Sequence, residues 1–200
     1  MILATSKLEE LYKDGHITNL LEESAIKGSS IDLRISENVK VPNNTPLEID
    51  LLDDDLEDKI ETKMYQEQSL AKKDFWLLPG KYIFGNTYEQ ITIPNNMCGI
   101  LLPRSTFARM GLLLPVSQYA NPGYKGHLPI VIYNASKNKI KIPPYYRVMQ
   151  LLLCTLDGTS KDYNTQLDHK YHDETTPTNP QSYKDIDLNT ILDFNDFNQQ

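Results

Sequence analysis

The segment GYKGHLPIVIYN, residues 123–134, is a glycine-bracketed turn that leads into a buried strand. Similar β-rich runs lie on both sides of it, and each is closed by a corner that contains Gly or Pro. These runs are LLPGKYIF (77–84), EQITIPNN (89–96), MCGILLPR (97–104) and KIKIPPYYRVMQLLL (139–153). Strands repeated every 8–12 residues or so with such corners predict a mainly β fold, a barrel or a sandwich.

The rest of the chain adds short helices and a polar C-terminal segment. Residues 5–24 predict one or two short helices broken at Gly15, and the alternating segment SSIDLRIS (29–36) predicts a half-buried strand. We expect a β domain over residues 1–158, interrupted by an acidic insertion at 49–74 that forms a solvated loop or short helix. Residues 159–200 are polar and turn-rich, which is typical of a lid and tail.

Charge is distributed unevenly along this acidic chain of 200 residues, whose net charge is −7. No Asp or Glu occurs in the 67 residues from 90 to 156, while seven Lys and Arg residues do, so this stretch carries +7 and the remainder −14. A sheet without acidic side chains but with several basic ones predicts a surface that binds an anion. The net negative charge argues against general nucleic-acid binding.

Apolar runs are too short to cross a bilayer, and the N-terminus has no signal-peptide core, so we expect an intracellular protein. The two cysteines, Cys98 and Cys154, lie in apolar strand-like runs. We interpret them as buried, reduced thiols.

The segment PRSTFARMGLLLPV, residues 103–116, has the chemistry of a phosphate site. Arg104 offers a bidentate guanidinium, Ser105 and Thr106 offer hydroxyl donors, and Arg109 supplies a second guanidinium five residues after the first.

This segment resembles the RSS-x-AR-x-GL signature of the dCTP deaminase and trimeric dUTPase superfamily. Other marks of the family follow in order over most of residues 1–180. They are MIL (1–3), GSSIDLRI (28–35), TYEQITIPNN (87–96), NPGYKG (121–126), RVMQLLL (147–153) and the lid-like DYNTQLDHKYHDE (162–174). The resemblance implies a distorted β-barrel or jelly roll with short N-terminal helices and a C-terminal lid or arm. It also implies a homotrimer or hexamer with nucleotide sites between subunits.

Residue roles are carried over from this resemblance one at a time. Arg104, Ser105 and Thr106 fall where the family binds the triphosphate, and Arg109 falls where an Arg organises the deaminase's catalytic water. Tyr163, Lys170 and Glu174 correspond to lid residues, the last at a place where the family often has a Gln that contacts phosphate. Tyr133 and Asn134 continue the strand that lines the pyrimidine pocket.

Two departures from the family remove its catalytic carboxylates. In dCTP deaminases, the strand after the glycine turn carries the Glu that activates water, and that position is Val131 here. The Asp that precedes the turn is Asn121. Neither residue can serve as a base near neutral pH, and general-base catalysis typically contributes about 10²–10⁴-fold. We expect His127, the one imidazole in this segment, to be structural.

Three functional hypotheses follow. The first is a catalytically inactive protein that binds dCTP, dUTP, dTTP or a signalling nucleotide, and acts by sequestration, sensing or partner binding, as would suit a phage or defence setting. The second is an active dCTP deaminase or dUTPase-like enzyme with a base supplied by Glu89 or by residues 49–62, with Ser105 and Arg109 as further catalytic candidates. The third is an interaction scaffold with a vestigial site. We expect no cofactor other than a nucleotide-bound Mg²⁺, and no metal at the lid histidines His169 and His172.

Overall fold

The computed structural model describes residues 1–115, 117–158, 160–166, 170–188 and 190–191. The helices are α1 (Thr5–Lys13), α2 (Leu56–Asp58) and α3 (Ser105–Arg109). The strands are β1 (Ile17–Thr18), β2 (Ile31–Arg34), β3 (Asn38–Pro42), β4 (Tyr65–Ser69), β5 (Tyr82–Thr92), β6 (Met97–Pro103), β7 (Leu112–Leu113), β8 (Tyr119–Ala120), β9 (Lys125–Asn134) and β10 (Arg147–Thr155). Short 3₁₀ turns cover Glu23–Ala25, Tyr163–Thr165 and Ser182–Lys184, and a π turn covers Lys59–Lys63.

Two antiparallel sheets form the fold. The first has the order β4-β3-β5-β9-β7, with β1 paired to β5, and the second has the order β2-β10-β6-β8. The prediction of a mainly β architecture is confirmed, although the described strands form two open sheets rather than one closed barrel. Within the described residues, no helix is both long and apolar enough to cross a membrane.

The core lies between the sheets and is built by strand alternation. Along β9 every second residue is buried, and the buried side chains include Ile130 and Ile132. They meet Leu151 and Leu153 of β10 in a single hydrophobic cluster. Because burying one such side chain stabilises the fold by about 1.5–3 kcal/mol, this alternation fixes which face of β9 points inward.

The N-terminal segment contains one α-helix, in agreement with the prediction of one or two short helices. Leu8 and Leu11 bury the inner face of α1, and the chain leaves the helix through Gly15 at φ +81°, a conformation that favours glycine. The predicted break at Gly15 is therefore confirmed. The residues after it form β1 and a 3₁₀ turn.

The acidic insertion is more ordered than the sequence indicated. A helical turn over residues 56–63 buries Leu56 and Ile60, as a short helix would. The expectation of only loop or helix is wrong for Tyr65–Ser69, which forms β4. The reason is that β3 leaves an open edge, and β4 pairs with it over five consecutive positions from Asn38↔Ser69 onward.

Candidate functional site

A cavity of about 260 Å³ lies where the turn between β8 and β9 meets the C-terminal segment. Its aromatic lining consists of Phe84, Tyr119, Tyr124, Tyr163 and Tyr171, and its polar lining consists of Ser117, Asn121, Glu174 and Thr178. Among the described residues that line it, Glu174 alone carries a formal charge. Aromatic walls with a few convergent polar groups are typical of a site for a flat, largely uncharged ring.

The turn between β8 and β9 places Asn121 and Tyr124 in this cavity. The turn between them needs Gly123, whose φ is +77° and whose missing side chain leaves room for the lid: a Cβ there would lie 2.6 Å from an Asp162 carboxylate oxygen. The lid is held at the same place because the Tyr163 backbone N–H donates to the Pro122 carbonyl at 3.0 Å. The turn around Gly123 is therefore the place where the lid docks on the β domain.

The lid also continues the edge of β9. The Asp173 backbone N–H donates to the Lys125 carbonyl at 2.8 Å, and the His127 N–H donates to the Glu174 carbonyl at 3.0 Å. Gly126 lies between these bonds at φ +143°, and a Cβ on it would lie 2.9 Å from the Glu174 nitrogen. These backbone bonds fix where Glu174 directs its side chain.

Glu174 is buried in the cavity wall with 7% of its surface exposed, and its Oε2 has no hydrogen-bond partner among the described residues. Burial raises the pKa of Glu174 to about 7, and hydrogen bonds from Thr178 oppose this rise only in part. The group therefore exchanges a proton near neutral pH, which is the property required of an acid, a base or a proton-sensitive ligand contact.

The other buried polar atoms without partners in the described residues lie beside the same cavity. Both amide atoms of Asn86 have none, and Asn86 faces Pro129, a lining residue, across β5 and β9. His172 Nδ1 is the remaining one, and its ring lies 6.4 Å from that of Tyr163. Since native proteins rarely leave such groups unsatisfied, their grouping here indicates a place for a polar ligand.

The predicted phosphate residues lie outside this cavity. Arg104 is partly exposed and is held by Asp32 at 3.7 Å, with a further bond to the Arg147 carbonyl. On α3, Ser105, Thr106 and Arg109 are exposed, and within the described part of the chain their side chains make no hydrogen bond or ion pair. A single chain therefore keeps the cationic motif and the aromatic cavity apart.

Glu89 is also absent from the cavity. Its carboxylate is fully buried and accepts a hydrogen bond from the Arg34 backbone N–H at 2.8 Å, while the Arg34 guanidinium lies 3.5 Å away. This pair joins β2 of one sheet to β5 of the other. A carboxylate enclosed in this way connects the two sheets, and it does not line the cavity of its own chain.

Several further predicted residues have structural roles. Asn134 is buried and donates to the carbonyls of Leu77 and Asn138, so it shapes a loop. Neither Asn134 nor Tyr133 lines the cavity. His127 lies 2.9 Å from the Thr87 carbonyl through Nδ1, as expected of a structural histidine.

Val131 and Lys170 lie near the cavity without lining it. Val131 is half-buried directly opposite Phe84, a lining residue, so the strand position expected to carry the catalytic Glu holds an alkyl group at the cavity's edge. Lys170 forms an ion pair with Asp185 inside the C-terminal segment.

The acidic insertion contacts the tail. Asn179 donates to the Glu61 carboxylate at 2.8 Å, and Tyr183 donates to the same carboxylate at 2.9 Å. No cluster of potential metal ligands occurs among the described residues, and His169 lies outside them. The insertion therefore braces the segment that carries Glu174.

The sequence identified Tyr163 as a lid residue, but it did not reveal the rest of the aromatic lining. Tyr124 was visible inside the NPGYKG motif, and a ring between two turn glycines could have been read as a wall of the site. Nothing in the sequence marked Tyr171 or Phe84, because they reach the cavity from segments far apart in the chain.

We expect Gly126→Ala to loosen the lid. The new Cβ would meet the Glu174 backbone, and the positive φ would add strain of about 1–3 kcal/mol. Hydrogen exchange at the His127 and Asp173 amides should therefore accelerate about tenfold or more. Gly28→Ala is the matched control, since a Cβ at Gly28 has no neighbour within 4 Å. Equal protection in both variants would contradict the docking described above.

Comparison with known proteins gives concordant matches. A profile described as dCTP deaminase-like matches residues 2–156. The dCTP deaminase of Marinomonas sp. (strain MWYL1) is 31% identical over 161 residues, covering 78% of this chain and 83% of that protein. The dUMP-forming dCTP deaminase of Nanoarchaeum equitans is 27% identical over 198 residues, covering 93% of this chain and 100% of that protein.

A solved structure shows the same fold. The 2'-deoxycytidine 5'-triphosphate deaminase from Agrobacterium tumefaciens superimposes with a TM-score of 0.61 at 18% identity. The match covers 76% of this chain and 47% of that longer chain, so this chain spans about half the length of the solved one.

Proposed function

Because this chain belongs to the dCTP deaminase-like family, we propose that it binds a pyrimidine deoxynucleotide without the deamination that gives the family its name. The observation that carries the proposal is a contrast between two motifs. Arg104, Ser105 and Arg109 are retained, and the last two are exposed with no intrachain partner among the described residues. The positions that would hold the water-activating carboxylates are Asn121 and Val131.

The heterocycle occupies the aromatic cavity, and the phosphates bind the cationic motif of another copy of the chain. This arrangement follows from the separation of the two features within one chain, since a nucleotide needs both. It requires a homo-oligomer, either a trimer or a hexamer. Such a protein acts on its nucleotide by sequestration, by sensing it or by presenting it to a partner.

Calorimetric titration with dCTP, dUTP and dTTP tests the proposal, with chromatography of each mixture for products. We expect saturable binding at micromolar concentration or below and no product. Release of dUTP or dUMP in proportion to protein concentration would contradict the inactive assignment. Absence of any binding would instead support the scaffold hypothesis.

Turnover through a relocated base is a second candidate, and the position of Glu174 favours it. A buried carboxyl group with a pKa near 7 has the properties of a general base, and Glu174 lines the cavity together with Asn121. Deamination would consume dCTP and water and yield dUTP and ammonia. If wild type forms dUTP and Glu174→Gln does not, this candidate replaces the inactive one.

A further inference from the structure

The cavity discriminates against phosphate. None of its described lining residues is Lys, Arg or His, and its one charged side chain is acidic. A phosphate placed there would lose its hydration without gaining a cation, which costs several kcal/mol. Although the family resemblance placed Glu174 among the phosphate contacts, its surroundings suit an uncharged ring.

Glu174 places a fixed and buried polar group in the wall of this cavity. Its backbone is bonded to β9 on the His127 side, its side chain is more than nine-tenths buried, and Oε2 has no partner among the described residues. A buried oxygen of this kind normally has a hydrogen-bond partner, so the site is shaped for a ligand group that supplies one.

We propose that the neutral carboxyl group of Glu174 recognises the ring edge of the bound pyrimidine, donating one hydrogen bond and accepting another. This inference rests on the proposed nucleotide binding, and it identifies Glu174 as the residue that hydrogen-bonds to the pyrimidine ring. A pyrimidine presents a donor next to an acceptor: the amino group and ring nitrogen in cytosine, or the ring N–H and carbonyl in uracil and thymine. A protonated carboxyl matches either pair, whereas a carboxylate offers only acceptors.

The groups around Glu174 favour its neutral form. From the β8–β9 turn and β9, Tyr124 faces it as a neutral phenol, the Lys125 ammonium pairs with Asp173 at 3.7 Å, and the His127 ring is engaged by Thr87. From the lid and tail, Tyr163, Tyr171 and Thr178 are uncharged and His172 lies within 3.2 Å of Asp173. Among the residues that the structure describes in these elements, no cation therefore pairs with the Glu174 carboxylate.

Ligand affinity should consequently depend on pH. The pKa of Glu174 is about 7 in the free protein. Below this value the carboxyl is already neutral and the dissociation constant is flat. Above it, the proton must be taken up on binding, so the dissociation constant rises about tenfold for each pH unit.

Titration of wild type with dCTP from pH 5.5 to 8.5 tests the inference, since cytosine itself stays neutral over this range. Glu174→Gln provides a permanent donor and acceptor of the same shape. We expect this variant to match wild type at pH 5.5 and to bind about tenfold or more tightly than wild type at pH 8.5. Ionisation of the triphosphate affects both proteins equally and cancels in the ratio. Glu9→Gln, which makes the same chemical change at an exposed position of α1 outside the cavity, should follow wild type.

The outcomes separate the two proposals. Parallel pH profiles for wild type and Glu174→Gln would overturn the role of Glu174 while leaving nucleotide binding intact. Failure of every protein to bind at any pH would overturn the proposed function, and this inference with it. Should Glu174→Gln fail to fold, carbon-13 detection of the Glu174 carboxyl in wild type decides: dCTP must raise its pKa, and an unchanged or lowered pKa would refute the proposal.

Discussion

Arg34→Ala should lower the free energy of unfolding by about 3–5 kcal/mol, because it leaves the fully buried Glu89 carboxylate without its counter-ion. Arg34 is itself 7% exposed in its side chain, so solvent screens the pair weakly. The pair also connects β2 to β5 across the two sheets. Urea unfolding should show a lower midpoint with an unchanged dependence on urea.

An exposed ion pair provides the control for this variant. Lys7 and Glu10 form a pair on α1 whose side chains are 64% and 55% exposed. Lys7→Ala should change stability by less than about 0.5 kcal/mol. If Arg34→Ala cost no more than Lys7→Ala, the interior would tolerate the Glu89 charge, and the structural role assigned to the pair would be wrong.

The cost of Arg34→Ala should grow with pH. Burial raises the pKa of Glu89, and the Arg34 guanidinium opposes that rise. Without the guanidinium, the folded state binds a proton at Glu89 more tightly than the unfolded state does. Stability is then highest below the unfolded pKa and falls as pH rises through the folded pKa. Unfolding measured at pH 5 and pH 8 should show the larger loss at pH 8.

Arg109→Ala should weaken triphosphate binding by about 10–100-fold and leave stability unchanged. A charge-assisted hydrogen bond to phosphate is worth about 1.5–3 kcal/mol. Arg109 is exposed at the end of α3 and has no ion pair among the described residues, so its removal disturbs no contact seen within the chain. Calorimetry with dCTP and a melting curve measure the two quantities.

Lys137→Ala is the matched control for Arg109→Ala. It removes an equal charge from an exposed position in the same acid-free stretch. Its effect should stay within about threefold, since an exposed charge that makes no direct contact with the phosphate is largely screened by salt. Equal losses in the two variants would mean that net charge, and not a phosphate contact, determines affinity.

Local patterns were enough to predict the fold. The alternation in GYKGHLPIVIYN gave β9 and its buried face, and Gly15 gave the end of α1. The motif at 103–116 gave the family. Each of these features depends on neighbours within a few residues, where backbone geometry and burial periodicity act directly.

The uneven charge along the sequence is only partly kept in the folded protein. The stretch from 90 to 156 has no acid, yet Asp32 lies 3.4 Å from Arg147 and 3.7 Å from Arg104, and Asp173 lies 3.7 Å from Lys125. Acids from the N-terminal part and from the lid thus offset the basic segment. Composition could not reveal this, because these ion pairs join residues that are 48, 72 and 115 positions apart in the chain.

The sequence by itself determined the β architecture, and it predicted a retained phosphate motif and the loss of catalytic carboxylates at Asn121 and Val131. Only the tertiary structure decided that Glu174 enters the cavity beside Asn121, that Glu89 is locked away by Arg34, and that the cavity and α3 are separate in one chain. The physical reason is that the strand pattern follows from local burial periodicity. A site, in contrast, forms when loop closure brings distant segments together. The backbone hydrogen bonds between the lid and β9 determine that the Glu174 carboxyl reaches the cavity.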